Sequence, residues 1–267
     1  MLDIKHKVTV YILVYNNEDG MEKTVESCLK QDMDDMQIII SDDGSTKYDT
    51  SLLKKYQDRL KERFQDVELL LNPENVGTVK HINKVLSCST GKYLIPLSSG
   101  DAFAASDAVS RAVGILEKSG RLILASRHID MYQDGHSKVR PNLVTGIRLK
   151  FTPKNLMNYM IRKRNLISGC AVVYSRDLFE QYGFFDEMYH LVEDYPYYIK
   201  LLGQGLKFGW MGKPITIHEI GGVSTGKVHP SIYKDIDLMR EELYQHKEDY
   251  DRKTRAFLEA CHEEKKG

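Results

Sequence analysis

Cysteine is scarce in this chain, with four in 267 residues, at Cys28, Cys88, Cys170 and Cys261. No two of them form a C-x-x-C pair, which argues against a zinc site and a disulfide framework and fits a reducing cytosol. Neither sign of charge is in excess. Lys and Arg number 38, as do Asp and Glu, so bulk charge gives no reason to expect a nucleic-acid partner. Long apolar runs are missing as well. None would span a bilayer, and no apolar signal core precedes the first strand pattern at Val8. That leaves peripheral membrane contact open. There is no internal repeat and no low-complexity linker. Hydrophobic residues make up 42% and charged residues 28%, an ordinary balance for a globular protein with ample core.

The chain is organised around Ile38-Ile39-Ile40-Ser41-Asp42-Asp43-Gly44-Ser45-Thr46. The apolar run reads as a buried parallel strand. Two carboxylates follow at its carboxyl end, where open α/β sheets bind ligands. They would repel phosphate but suit an imide N–H, ribose hydroxyls or a metal ion. Gly44 permits a tight turn, and Ser45 or Thr46 can cap the next helix. The simpler reading of the stretch is a polar strand-to-helix loop.

Val8–Val14 reads as a strand ending at Tyr15-Asn16-Asn17, and Met21–Gln31 as a helix. A second helix carries Leu52, Leu53, Tyr56, Leu60 and Phe64. Val67–Leu71 is a strand that stops at Asn72-Pro73-Glu74-Asn75-Val76-Gly77. A third helix spans Val79 to Leu86. Tyr93–Leu97 then runs into Ser98-Ser99-Gly100-Asp101. This β-α alternation predicts an α/β fold, a mostly parallel sheet with helices on both faces and right-handed connections. It places the polar clusters at Tyr15, Asp42/Asp43, Asn75/Gly77 and Asp101 on one rim.

The second half is less regular. Ser106 can cap a helix through Leu116. Leu122–Ala125 is a strand, and a hairpin turns at Asp134-Gly135. Thr152-Pro153 opens a helix. Lys150, Lys154, Arg162, Lys163 and Arg164 make this region basic, either as a solvated face or to meet an anionic acceptor. Ala171–Tyr174 is a strand, and helices follow at Asp177–Tyr182 and Tyr195–Leu202. Phe208–Met211 and Ile215–His218 are short strands. From Ser231 the chain is charged and helical, with an apolar stripe at Ile232, Ile236, Met239, Leu243 and Tyr244. That tail can pack on the domain, pair with a second subunit or fray.

Together these motifs resemble the family 2 inverting glycosyltransferases of the GT-A fold, over about residues 6 to 225. Val14-Tyr15-Asn16 resembles the family's opening strand end. Gln31 with Ile38–Ser45 is similar to Q…EIIIVDDGS, and Asn75-Val76-Gly77 with Asn83 to N-x-G…N. Ser168-Gly169-Cys170 resembles a Gly-rich triplet, and Gly183-Phe184-Phe185-Asp186-Glu187 resembles G-x-F-D-E. Glu193-Asp194 resembles the E-D motif of the catalytic base, and His218 with Gly221-Gly222-Val223-Ser224 a late His-loop. Two departures stand out. Leu97-Ser98-Ser99-Gly100-Asp101 keeps only the last carboxylate of L-D-x-D-D. Ile82 stands where many members have Arg before the Asn, so Lys80 or His81 would take its contact or the contact is absent.

The resemblance implies a GT-A domain at residues 1–230, with 1–101 binding nucleotide and 102–230 binding acceptor, and a helical extension at 231–267. It implies a cytoplasmic enzyme, working at the inner face of the membrane, that moves a sugar from a UDP-sugar to a glycan, lipid-linked or protein-linked hydroxyl in bacterial surface glycan synthesis. Tyr15 would flank the pyrimidine. Asp42 or Asp43 would accept the uracil N–H. Asn16, Asn75, Gly77, Lys80, Ser99 and Gly100 would complete the nucleotide site. Asp101 would bind Mn²⁺ or Mg²⁺, with His218 as a ligand or a diphosphate donor. Asp194 would be the general base and Glu193 a sugar or acceptor contact. A helix N-terminus at Asp194 would keep it ionised and weakly basic. A nucleotidyltransferase is a competing reading, opposed by the acidic loop Asn17-Glu18-Asp19. A catalytically weak partner subunit is another, opposed by the intact Glu193-Asp194. The helical tail offers a route to a homo-oligomer.

Overall fold

The computed structural model describes residues 3–221 and 229–265. Its first half alternates as the periodicity requires: β1 (His6–Val14), α1 (Met21–Leu29), β2 (Met36–Asp42), α2 (Leu53–Lys61), β3 (Asp66–Leu71), α3 (Thr78–Cys88) and β4 (Gly91–Ser98). β3, β2, β1 and β4 are neighbours in that order and all parallel. The apolar runs of β1 and β2 are continuous because both faces are covered. Val8, Val10, Ile12, Ile38 and Ile40 enter one core, and Tyr11 and Ile39 the other.

Beyond β4 come β5 (Ala102–Phe103), α4 (Ala108–Ser119), β6 (Ile123–Met131), β7 (Ser137–Arg140), α5 (Leu143–Arg148), α6 (Pro153–Arg162), β8 (Val172–Ser175), α7 (Arg176–Tyr182), α8 (Asp194–Gly203), β9 (Gly209–Glu219), α9 (Pro230–Gln245) and α10 (Arg252–Glu264). The sheet continues as β4-β8-β6-β9-β5, with β7 hairpinned on β6. Here the parallel character gives way. β8 is antiparallel to both β4 and β6, β5 is antiparallel to β9, and β6 with β9 is parallel.

Several local expectations change. β6 is one long strand that includes the first arm of the hairpin, because Ser126, Arg127 and His128 interrupt its apolar run but not its ladder. The two short strands around Met211 and Ile215 are likewise one, β9. Pro214 sits where its register slips against Ser126, Arg127 and His128, the irregularity that admits a proline. Ser106 does not cap α4; Asp107 holds that position, without a side-chain bond. Neither Ser45 nor Thr46 caps a helix. Asp49 caps the short 3₁₀ turn that follows, and Ser45 is held by Asp42.

The C-terminal helices pack on their own domain. Met239, Leu243 and Leu258 are buried with residues of α6 and α8, and Ile236 and Tyr244 lie against the same core. Arg162 of α6 donates to Asp251 at 2.8 Å and to Thr254 Oγ1 at 2.7 Å, fastening the start of α10.

Candidate active site

The ends of β1, β2, β3 and β4 form one hydrogen-bonded rim. Asn16, in the left-handed region that Asn tolerates (φ 52°), has its N–H on Ser45 Oγ. Its Oδ1 accepts from the N–H groups of Thr46 and Lys47 at 2.9 and 3.0 Å. Asn17 Nδ2 donates to the Ser99 carbonyl at 2.7 Å, and Ser99 Oγ donates back to the Asn17 carbonyl. Tyr15, 47% exposed, stands clear of this network.

Both carboxylates of the central motif are buried and occupied. Asp42 accepts from Ser45 N–H, Ser45 Oγ and the Tyr48 hydroxyl. Asp43 accepts from Asn72 Nδ2 (2.9 Å), Val76 N–H (3.1 Å) and Gly77 N–H (3.2 Å). A carboxylate offers roughly four acceptor positions, so each keeps about one. Asp43 thereby shapes the Asn75-Val76-Gly77 loop. Gly77 has φ 88°, and a Cβ there would lie 2.3 Å from the His190 ring; only glycine lets the two segments meet. Asn75 and Lys80 are exposed. His81 is not a surface cation. It is buried, bonded to Ser41 Oγ at 2.7 Å, and burial holds its pKa below the ordinary value against the pull of Asp43 and Asp42.

Gly100 donates its N–H to the Gly20 carbonyl and Thr24 Oγ1. This turn presents Asp101, which is 2% exposed. His218 Nδ1 lies 2.9 Å from Asp101 Oδ1, and Glu219 N–H donates to the same oxygen at 3.1 Å. Burial would lower the pKa of His218, but the hydrogen bond and charge of Asp101, with Asp130 beyond, raise it. Asp101 and His218 form a one-carboxylate, one-imidazole donor set. Among the described residues, no group of three or more His, Cys, Asp or Glu is arranged to hold a metal. The pair therefore fits Mn²⁺ or Mg²⁺ only when other oxygens complete the shell. Gly222-Val223-Ser224, the rest of the expected His-loop, lie outside the described residues.

Glu193 and Asp194 begin α8. Asp194 stands at a helix N-terminus, in the first turn behind Glu193 at the N-cap, but the expectation that this keeps it ionised and weakly basic is overturned. Its pKa is raised, not held low: the protein packed around it outweighs the N–H groups of Tyr195 and Gly169 and the Asn165 amide, which donates to Oδ2 at 2.9 Å. Glu193 is pushed up by the same burial and by the charge of Asp194.

Two contributors were not singled out in the sequence. Asn165 holds the Asp194 carboxylate. Asp235 of α9 is buried and accepts from the N–H groups of His190, Leu191 and Val192 at 2.7–3.2 Å, fixing the loop that leads into Glu193. Its signal was a carboxylate in line with the apolar stripe of α9, three residues after Ile232 and four before Met239. Cys170 stands out in the sequence only as part of a Gly-rich triplet. Burial and the charges of Asp101 and Asp130 push its thiol up to about 12, and neighbouring Gly169 donates to Asp194. The next carbonyl, that of Cys170, accepts from Thr216 Oγ1 of β9 at 2.8 Å. Asn83 ties α3 to the second half, with its amide on the Phe185 carbonyl (2.8 Å) and its Oδ1 on the Phe185 N–H (3.2 Å). A cavity of about 640 Å³ between α6, α8 and α9 is lined by Met157, Tyr189, Pro196 and Met239 and by none of these rim residues.

Comparison with known proteins places the chain in a family. Glycosyl transferase family 2 matches residues 9–183, about two thirds of the chain, and the chain belongs to that family. An uncharacterized glycosyltransferase of Haemophilus influenzae is 24% identical over 208 residues, 71% of this chain and 62% of its own length. TuaG of Bacillus subtilis, a putative teichuronic acid biosynthesis glycosyltransferase, is 31% identical over 173 residues, 65% of this chain and 63% of its own. The chain thus spans about three fifths of the length of these relatives. Among solved structures, S. aureus TarS 1-349 in complex with UDP-GlcNAc superimposes with a TM-score of 0.68 at 17% identity, over 89% of this chain and 66% of TarS. The mannosyltransferase PcManGT of Pyrobaculum calidifontis, with GDP-Man and Mn²⁺, gives 0.65 at 15% over 90% and 65%. The fold is that of the GT-A glycosyltransferases.

Proposed function

We propose that this glycosyltransferase moves a sugar from a UDP-sugar to a hydroxyl of a glycan, glycolipid or glycoprotein, with inversion, in the synthesis of a cell-surface polysaccharide. The observation that carries this reading is the Asp194 carboxylate. It is raised toward neutral pH and fixed by Asn165 and Gly169. A base whose pKa approaches the working pH takes a proton most effectively. Asp194 accepts the proton of the acceptor hydroxyl while that oxygen attacks the anomeric carbon from behind. The bond from that carbon to the diphosphate oxygen breaks, and UDP leaves with the electron pair. One displacement inverts the centre. Glu193, pushed up by burial and by the charge of Asp194, donates to the sugar or acceptor when protonated.

On the donor side, Tyr15 stacks on the base, and Asp42 or Asp43 gives its remaining acceptor position to the uracil N–H. The loops of Asn16, Asn75, Gly77, Ser99 and Gly100 shape the pocket through their backbones, and Lys80 meets the diphosphate. Asp101 and His218 would hold Mn²⁺ or Mg²⁺, with donor phosphates supplying the remaining oxygens. The ion would offset charge on the departing diphosphate. UDP-GlcNAc on TarS supports a uridine donor, and the name of TuaG supports a surface polysaccharide. GDP-Man on PcManGT makes a guanosine donor the competing reading.

A panel of UDP- and GDP-sugars tested for hydrolysis and transfer, with and without Mn²⁺, checks this. UDP-sugar turnover that disappears in Asp194→Asn is the expected result. Turnover of GDP-sugars alone would overturn the uracil assignment, and turnover undiminished in Asp194→Asn would overturn the base.

A further inference from the structure

The chain is neutral overall, yet its charge is not evenly spread. Between Asp134 and Asp177 there are nine Lys and Arg residues and no Asp or Glu. This stretch contains α5 and α6. Six of its cations, Lys138, Arg148, Lys150, Lys154, Lys163 and Arg164, form no ion pair with an acid among the described residues. In the middle of this basic stretch α5 is apolar on its outer side. Val144 is 59% exposed, Ile147 60% and Phe151 45%. They recur at i, i+3 and i+7, and the turn continues past α5 through Lys150 N–H on the Ile147 carbonyl and Phe151 N–H on the Arg148 carbonyl, both at 3.0 Å. The three therefore share one face.

That face is rigidly held. The inner side of α5 buries Thr145 and Leu149. Gly146 lies so close to Trp210 of β9 that a Cβ would come within 2.6 Å of its ring. Asn142 caps the helix by accepting from Thr145 N–H at 2.9 Å. The core is already satisfied beneath, so the outer apolar row has no partner in the described fold. Exposed apolar residues gathered in one patch mark an interaction surface.

We propose that the outer face of α5, with the flanking Arg148, Lys150 and Lys154, docks the protein on an anionic lipid bilayer. An apolar row rimmed by cations is the chemistry of an interfacial segment, which inserts its hydrocarbon among acyl chains while its cations meet anionic headgroups. Charge disfavours the alternative of a second copy, because a twofold pairing would set this basic patch against itself. Among the described residues no helix is long and apolar enough to cross a membrane, so contact here is interfacial. α6, which follows α5, packs on α8, the helix that begins with Asp194; docking through α5 would hold the rim in a set orientation to the bilayer. The inference stands on the surface alone, and its test needs no activity.

Flotation of the full chain with phosphatidylcholine vesicles, with and without phosphatidylglycerol, is the experiment. Binding should require phosphatidylglycerol and fall as salt rises. Lys150→Gln with Lys154→Gln should weaken it about 25-fold, at about fivefold per cation near a charged surface. Ile147→Asp with Phe151→Ser should weaken it at least about tenfold, with both pairs melting at the wild-type temperature. If a variant melts early, the salt dependence of the wild-type chain decides. Failure of the wild type to bind phosphatidylglycerol vesicles overturns the proposal, as does equal binding to pure phosphatidylcholine. A solution dimer that Ile147→Asp dissociates, without vesicle binding, also overturns it.

Discussion

The two acidic pairs, Asp42–Asp43 and Glu193–Asp194, look alike in the sequence and differ in how the fold bonds their oxygens. The first is closed within its own rim. Asp42 and Asp43 together accept six hydrogen bonds, from Ser45, Tyr48, Asn72, Val76 and Gly77. The second pair is crowded by protein and by its own charge, and both pKa values are driven up. Donated hydrogen bonds favour an ionised carboxylate; burial and a neighbouring charge disfavour it. The comparison separates two uses of an acidic dipeptide. One organises loops and offers what acceptor capacity remains. The other, in the proposed mechanism, takes the proton of the acceptor hydroxyl.

Breaking the second pair should have the largest effect. Asp194→Asn should lower transfer by about 10²–10⁴-fold and leave UDP affinity unchanged, as rates and calorimetry on the same preparation would show. A mutant that keeps most of its rate would move the base, with Glu193 next in line.

Breaking the first pair should act on binding and stability together. Asp43→Ala removes the acceptor of Val76, Gly77 and Asn72, and should weaken UDP by about 1.5–3 kcal/mol. It should also lower the melting temperature, because two buried N–H groups lose their partner. Weaker binding with unchanged melting would mean that Asp43 contacts the nucleotide without shaping the loop.

The pH profile sharpens the difference. Transfer needs Asp194 ionised, so the rate should be low in acid and rise with pH through about 6. Asn165→Ala removes a donor that favours the ionised form, and should move this limb upward by about one unit. A limb that stays in place would assign it to another group.

The smallest effect concerns stability. A carboxylate whose folded pKa lies above its unfolded value stabilises the fold fully below the unfolded pKa and loses that contribution as pH rises through the folded one. For Glu193 that window runs from about 4.5 to about 8. Glu193→Gln removes the titration, so its melting temperature relative to wild type should be higher above the window than below it, by about 2–4 °C for each kcal/mol that the wild type loses across it. A difference that does not change with pH would mean that Glu193 is not held protonated.

Much of this was legible in the chain. Val8–Val14 and Ile38–Ile40 are buried on both faces, so their apolar runs announce parallel strands. With α1, α2 and α3 between them, they bring Asn16, Asp43, Gly77 and Asp101 to one edge. The antiparallel insertion of β8 was not legible, since a strand's direction depends on how the chain returns to the sheet. Nor was the continuity of β9 across Pro214, which reads as a break until β6 is seen to shift register beside it.

Local sequence determined the elements of the first half, the residues at the strand ends and the presence of two acidic pairs, because these rest on periodicity and on turn chemistry within a few residues. The tertiary structure alone decided what each pair is. Asn165, Gly169 and Asp235 reach Asp194 and the loop before it from 25 to 45 positions away. A carboxylate's proton affinity is set by the atoms packed around it in space, which a run of neighbouring letters does not specify. The same holds for α5. Its apolar residues are plain in the sequence, and only the seating of Gly146 on Trp210 shows which of them turn inward and which are left facing out.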